Sequence, residues 1–157
     1  MTLVKICGIT NFPDAQAAVD AGADLLGFNF YQRSPRYISP AAAREIIDQL
    51  PNHVLSVGVF VNESLPTIRS IASTSKIDEL QLHGDESSAY CNQLDGHKII
   101  KAFRVGNMFD PQQTLEFAVE SIMLDASHPE LRGGTGTVFD WSVAVKVRNL
   151  GRQLFLA

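Results

Sequence analysis

A chain of 157 residues, 45% apolar and 19% charged, is long enough for one domain with its own core and has the make-up of a soluble globular protein. A net charge of −4 offers no basic field to nucleic acid or to an anionic membrane. No apolar run is long enough for a membrane span, no signal peptide is evident, and the two cysteines, Cys7 and Cys91, lie far apart. The expectation is a cytoplasmic protein with reduced thiols.

In chain order, the first strand candidate is 3–7, where Leu3, Val4 and Ile6 run into Cys7, Gly8, Ile9 and Thr10. A thiol, a glycine and a possible helix cap are how a buried parallel strand delivers a reactive side chain and turns into a helix. A helix is expected over 12–22, with Phe12, Ala15, Ala18 and Val19 at three- and four-residue spacing. Further strands are expected near 24–29, 54–61, 78–82, 98–103, 121–125 and 153–157. Between them, helices are expected over 40–50, 64–74, 85–94, 111–119 and 140–149. The first of these follows Ser39-Pro40, a cap and a first-turn proline, and Asp140 is another cap before Trp141, Val143 and Val147.

Strict β-α alternation implies parallel strands joined by right-handed crossover helices. No linker, low-complexity tract or charge block divides the chain, so one domain over 1–157 is expected. Two architectures fit: an open doubly wound sheet and a (β/α)8 barrel. A nucleotide-binding open sheet usually carries Gly-x-Gly-x-x-Gly after its first strand, and here Gly8 stands alone. Polar residues instead close many strands: Cys7, Asn29, Asn62, His83, Arg104 and Asp125. A ring of functional side chains at strand C-termini favours the barrel.

Taken alone, Cys7 reads as a small packed residue. At a strand end, with Lys5 two residues earlier on the same face, it becomes a candidate base or nucleophile, because a neighbouring ammonium favours thiolate. Asp125 closes the run Ile122-Met123-Leu124, where an unpaired acid would be costly. It is either a structural hydrogen-bonding group or a proton donor, and an acid with a base of different intrinsic acidity suits an isomerisation. Arg36, in the loop Ser34-Pro35-Arg36-Tyr37-Ile38, is a surface charge or a fork for a carboxylate or phosphate. His83, after Leu80-Gln81-Leu82, is by itself more often structural than a ligand. Cys7, His83 and Asp125 contain no close-spaced pair to nucleate a metal site, so no metal is expected. Gly133, Gly134, Thr135 and Gly136 form a run that brings backbone N–H groups close to an anion, or a flexible lid. No Gly-Lys-Ser/Thr follows it, so it is not the loop of nucleotide hydrolases.

Together these motifs resemble the N-(5′-phosphoribosyl)anthranilate isomerase family of tryptophan biosynthesis. The matching pieces are Lys5 to Thr10, Ser34 to Ile38, Val57-Gly58-Val59-Phe60-Val61-Asn62, Gln81-Leu82-His83-Gly84, Lys101-Ala102-Phe103-Arg104, Leu124-Asp125-Ala126, and Gly133 to Gly136 with Phe139-Asp140-Trp141. They stand in family order and cover nearly the whole chain. The resemblance implies a (β/α)8 barrel and an Amadori rearrangement of an aminoaldose phosphosugar to an aminoketose, without cofactor or metal. It implies Asp125 as general acid, Cys7 as general base and Arg36 as the contact to the anthranilate carboxylate. His83 and Arg104 would support them, and Gly133 to Gly136 would approach the substrate.

Eight β-α units need about 200 residues, whereas this chain stops at Leu154-Phe155-Leu156-Ala157. Family members continue there into a glycine turn that helps hold the phosphate. The expectation is a C-terminally shortened barrel of about six β-α units plus a seventh strand, with little or no turnover of its own. Its open edges invite self-association. Two other readings stand beside the isomerase: a different phosphosugar isomerase or epimerase barrel, and a non-catalytic fragment that needs complementation.

Overall fold

A computed structural model describes residues 2–106, 108–126 and 140–157. Seven strands alternate with helices: β1 (Lys5–Cys7), α1 (Phe12–Asp20), β2 (Leu25–Asn29), α2 (Pro40–Ile47), β3 (Leu55–Phe60), α3 (Leu65–Ser75), β4 (Glu79–Leu82), α4 (Ser88–Cys91), β5 (Lys98–Val105), a 3₁₀ helix (Pro111–Glu116), β6 (Ser121–Ala126), α5 (Trp141–Asn149) and β7 (Gln153–Leu156). The chain forms two compact units, Met1–Gln81 and Leu82–Ala157, whose boundary falls inside β4.

In the first unit β1, β2 and β3 pair in parallel, with Cys7 opposite Gly27 and Gly27 opposite Val57. Leu26, Phe28, Val57, Phe60 and Ile68 are fully buried, which identifies the core of this unit. Gly58 is part of that packing, because a Cβ there would strike Ile77 Cδ1. In the second unit β5, β6 and β7 pair in parallel, with Arg104 opposite Asp125. Here Leu82, Leu94, Ile100, Ile122, Leu124 and Val147 fill the core. β6 is buried at all six positions, as expected of a parallel strand covered on both faces.

The helices begin where cap chemistry dictates. The side chains of Ser39, Ser64 and Asp140 accept from the N–H groups of Ala42, Thr67 and Ser142, filling donors that the first turn leaves open. α1 is capped by Asn11, one residue beyond the sequence-based cap at Thr10, through Asn11 Oδ1 to Asp14 N at 2.9 Å.

Four helices are shorter than the sequence suggests: α1 and α2 end at Asp20 and Ile47 rather than at 22 and 50, and two others change more. The expected helix over 85–94 is reduced to Ser88–Cys91, because Glu86 is spent on a turn and Ser87 becomes the cap. The expected helix over 111–119 is the 3₁₀ helix Pro111–Glu116. Phe117 leaves helical geometry to set its ring edge-on to Phe103 at 5.1 Å, and Arg152 donates to its carbonyl.

A repeated device anchors the strand starts. The carboxylate just before β2 (Asp24), β4 (Asp78) or β6 (Glu120) accepts from the backbone N–H of Val4, Ser56 or Ile99 respectively, at 2.7–2.8 Å. Leu3, Val4 and Ile6 at β1 are exposed, as is Leu156 on β7. Among the described residues no helix is long and apolar enough to cross a membrane.

Candidate active site

Each unit carries one cluster of reactive side chains at the C-terminal ends of its strands. In the first, β1 ends on Cys7, and Gly27 O accepts from the N–H groups of both Gly8 and Ile9 at 2.9 and 3.0 Å. This fixes the backbone just past the thiol. A Cβ on Gly27 would lie 2.7 Å from Cys7 Sγ and 2.9 Å from Lys5 Nζ. Thiol and ammonium therefore share the small volume that the missing side chain leaves.

Gly8 adopts a φ of +92°, a backbone state open to glycine, and a Cβ there would strike Arg36 Cδ at 2.5 Å. Arg36 lies across this glycine and donates from Nη1 to Cys7 O at 3.3 Å. The loop that carries it is braced locally. Ser34 Oγ accepts from Asn29 Nδ2 and from Arg36 N, while Asn29 Oδ1 accepts from Tyr31 N. One of five guanidinium donors is engaged on Cys7 O, which leaves a planar fork suited to a carboxylate.

The second cluster centres on Asp125, 3% exposed near the end of β6. His83, just past β4, meets it through Nε2 at 3.0 Å from Oδ2. The direction of this bond depends on the histidine tautomer. A buried carboxyl beside an imidazole can hold or release a proton without stranding a charge. Arg104, the ladder neighbour of Asp125, reaches Asp85 instead.

Below this pair sits Lys101, 3% exposed. Its Nζ donates to Leu82 O at 3.3 Å, Gly84 O at 2.8 Å and Glu86 Oε2 at 2.9 Å. Glu86 also accepts from Gly84 N at 3.0 Å. The turn His83 to Glu86 is thereby tied to β5.

The structure thus brings Cys7 together with Lys5 and Arg36, and His83 together with Asp125. Arg104 is held by Asp85 in the same unit as Asp125. Gly133, Gly134, Thr135 and Gly136 lie outside the described residues. Three participants escape the sequence-based list: Gly27, Lys101 and Glu86. For Lys101 a signal existed, since a charge inside Ile99-Ile100-Lys101-Ala102-Phe103 must find a buried partner. Gly27 gave none, because only the fold shows what lies above it. The second thiol, Cys91, is buried; loss of solvent pushes its pKa up, against the pull of the Lys101 charge, as befits a packed structural cysteine.

Residues 4–157 match the family model of N-(5′-phosphoribosyl)anthranilate (PRA) isomerase. The N-(5′-phosphoribosyl)anthranilate isomerase of Citrifermentans bemidjiense is 49% identical over 97% of this chain and 73% of its own length. The crystal structure of phosphoribosyl anthranilate isomerase from Thermotoga maritima covers all of this chain at 45% identity and a TM-score of 0.90, over 77% of its own length. A phosphoribosyl anthranilate isomerase in complex with reduced 1-(o-carboxyphenylamino)-1-deoxyribulose 5-phosphate matches 99% of this chain and 75% of its own at 42% identity, with a TM-score of 0.84. The seven strands described here are strands of that family's (β/α)8 barrel, which this chain carries incompletely. The chain belongs to the N-(5′-phosphoribosyl)anthranilate isomerase family, enzymes of tryptophan biosynthesis that catalyse an Amadori rearrangement.

Proposed function

We propose that Asp125 is the general acid and Cys7 the general base of this isomerisation. Ring opening of N-(5′-phosphoribosyl)anthranilate begins when Asp125 protonates the furanose oxygen, and an iminium forms as the C–O bond breaks. The iminium acidifies the C2 proton. Cys7 removes it as thiolate, and the enaminol ketonises to the aminoketose phosphate. Arg36 takes the anthranilate carboxylate in its fork. His83 holds the carboxyl of Asp125, Arg104 stands beside it as a supporting cation, and Gly133, Gly134, Thr135 and Gly136 approach the substrate with backbone N–H groups.

The observation that carries this is the buried Asp125 carboxyl with His83 Nε2 at 3.0 Å, which gives a proton donor a partner through which to exchange that proton. Lys5, which shares the space above Gly27 with Cys7, places a cation next to the proposed base.

Residues 1–157 are read as one barrel domain, because a single family model spans both compact units. Localisation in the cytoplasm and self-association complete the proposal, the latter supported by the exposed Leu3, Val4 and Ile6 and by Leu156.

Titration of the protein with reduced 1-(o-carboxyphenylamino)-1-deoxyribulose 5-phosphate tests the substrate contacts. Amide signals of Gly8, Ile9, His83 and Asp125 should move. Arg36→Met should weaken binding roughly tenfold or more, as expected for losing a charged hydrogen bond of about 1.5–3 kcal/mol. Unchanged affinity in Arg36→Met would remove the carboxylate contact from the proposal.

A further inference from the structure

We infer that Lys101 and Glu86 form a buried positioning pair whose task is to hold His83 against Asp125. The inference rests on the acid role proposed for Asp125 and adds two residues that touch no substrate. Lys101 is an unusual core residue: its ammonium is buried on β5 and spends its donors on two backbone carbonyls and one carboxylate. Those carbonyls belong to Leu82 and Gly84, the residues on either side of His83. Glu86 closes the same turn from the other side by accepting from Gly84 N as well as from Lys101. The backbone that carries the imidazole is therefore pinned before and after His83, and the ring is left at 3.0 Å from Asp125 Oδ2.

An isolated buried ion pair is poor evidence of stabilisation, because desolvation offsets most of the attraction. A simple core would do better with two apolar side chains. The geometry gives the pair a different purpose, since its bonds to Leu82 O, Gly84 O and Gly84 N flank His83 on both sides. A second tie on that turn, Arg104 to Asp85, is exposed and comes from the same strand as Lys101. Misplacement of a reacting group by about 1 Å can cost on the order of 10²-fold in rate, which sets the scale on which such a brace matters.

The test is a coupling measurement on the histidine ring. With ¹⁵N-labelled histidine, Asp125→Asn should shift the His83 ring-nitrogen signals in the parent protein. The same change is then made in Lys101→Met/Glu86→Leu, which removes both charges together and strands neither. The His83 signals should there no longer respond to Asp125→Asn, while thermal unfolding stays cooperative. An equal response in both backgrounds overturns the inference.

Two milder variants decide the matter if the double variant does not fold. Glu86→Gln keeps an acceptor for Gly84 N and Lys101 and should preserve the response. Glu86→Asp draws the carboxylate back by one methylene and should lose more of it. The reverse order overturns the inference. Turnover separates this outcome from failure of the acid role. Loss of positioning should lower kcat by about 10²-fold with KM changed by less than about twofold. If Asp125→Asn turns over like the parent, the acid assignment falls, and the ring-nitrogen coupling still decides whether Lys101 and Glu86 position His83.

Discussion

Cys7 and Cys91 share a functional group and differ in everything around it. Cys7 is exposed at a strand end beside Lys5, whereas Cys91 is buried. Iodoacetamide added to the native protein should therefore modify Cys7 and spare Cys91, as read by peptide mass spectrometry; equal labelling would contradict the packing described. Burial also holds the Cys91 thiol above its ordinary 9.0. The folded state keeps that proton to higher pH than the unfolded state does. The stability it contributes is full below pH 9.0 and is lost as pH rises from there through the folded value. Urea midpoints on either side of pH 9.0 should show this loss, and Cys91→Ala should flatten it. Of the side chains in the two clusters, Cys7 and Asp125 were expected from the sequence because each interrupts an apolar run at a strand end. Gly27 was not, since a missing side chain leaves no trace in a sequence. Its role appears only when β1 and β2 are set in register with Cys7 opposite Gly27.

Among the elements, the strands were readable to within two residues because β-branched and apolar runs bounded by turns have few other outcomes. Two of the four shortened helices lost residues to tertiary bonds: Glu86 to Lys101, and Phe117 to the Phe103 ring and Arg152. Such competition is invisible to local periodicity. The opposite end of the strands carries acids with a mechanical purpose. Asp78 accepts from both Ser56 N and Ser56 Oγ at 2.7 Å, and Ser56 is buried. Asp78→Ala leaves these donors without their acceptor and should cost about 1–3 kcal/mol, measured by chemical denaturation. Catalytic constants should stay at parental values, because active residues of this fold gather at the other strand ends. A stable Asp78→Ala protein would mean that these carboxylates are ornamental.

At the level of the molecule, each compact unit supplies one chemically distinct set: a thiol with cations in the first, and a carboxyl with an imidazole in the second. Family membership assigns the reaction, and the proposed roles give one of its two proton transfers to a residue of each cluster. The decisive observation is the loss of anthranilate-type fluorescence when freshly formed phosphoribosylanthranilate is added to the protein, to Cys7→Ala and to Asp125→Asn. Acid–base catalysis by these two residues predicts that either substitution slows the signal by about 10²–10⁴-fold. A variant that consumes substrate at the parental rate would contradict the division of labour between Asp125 and Cys7.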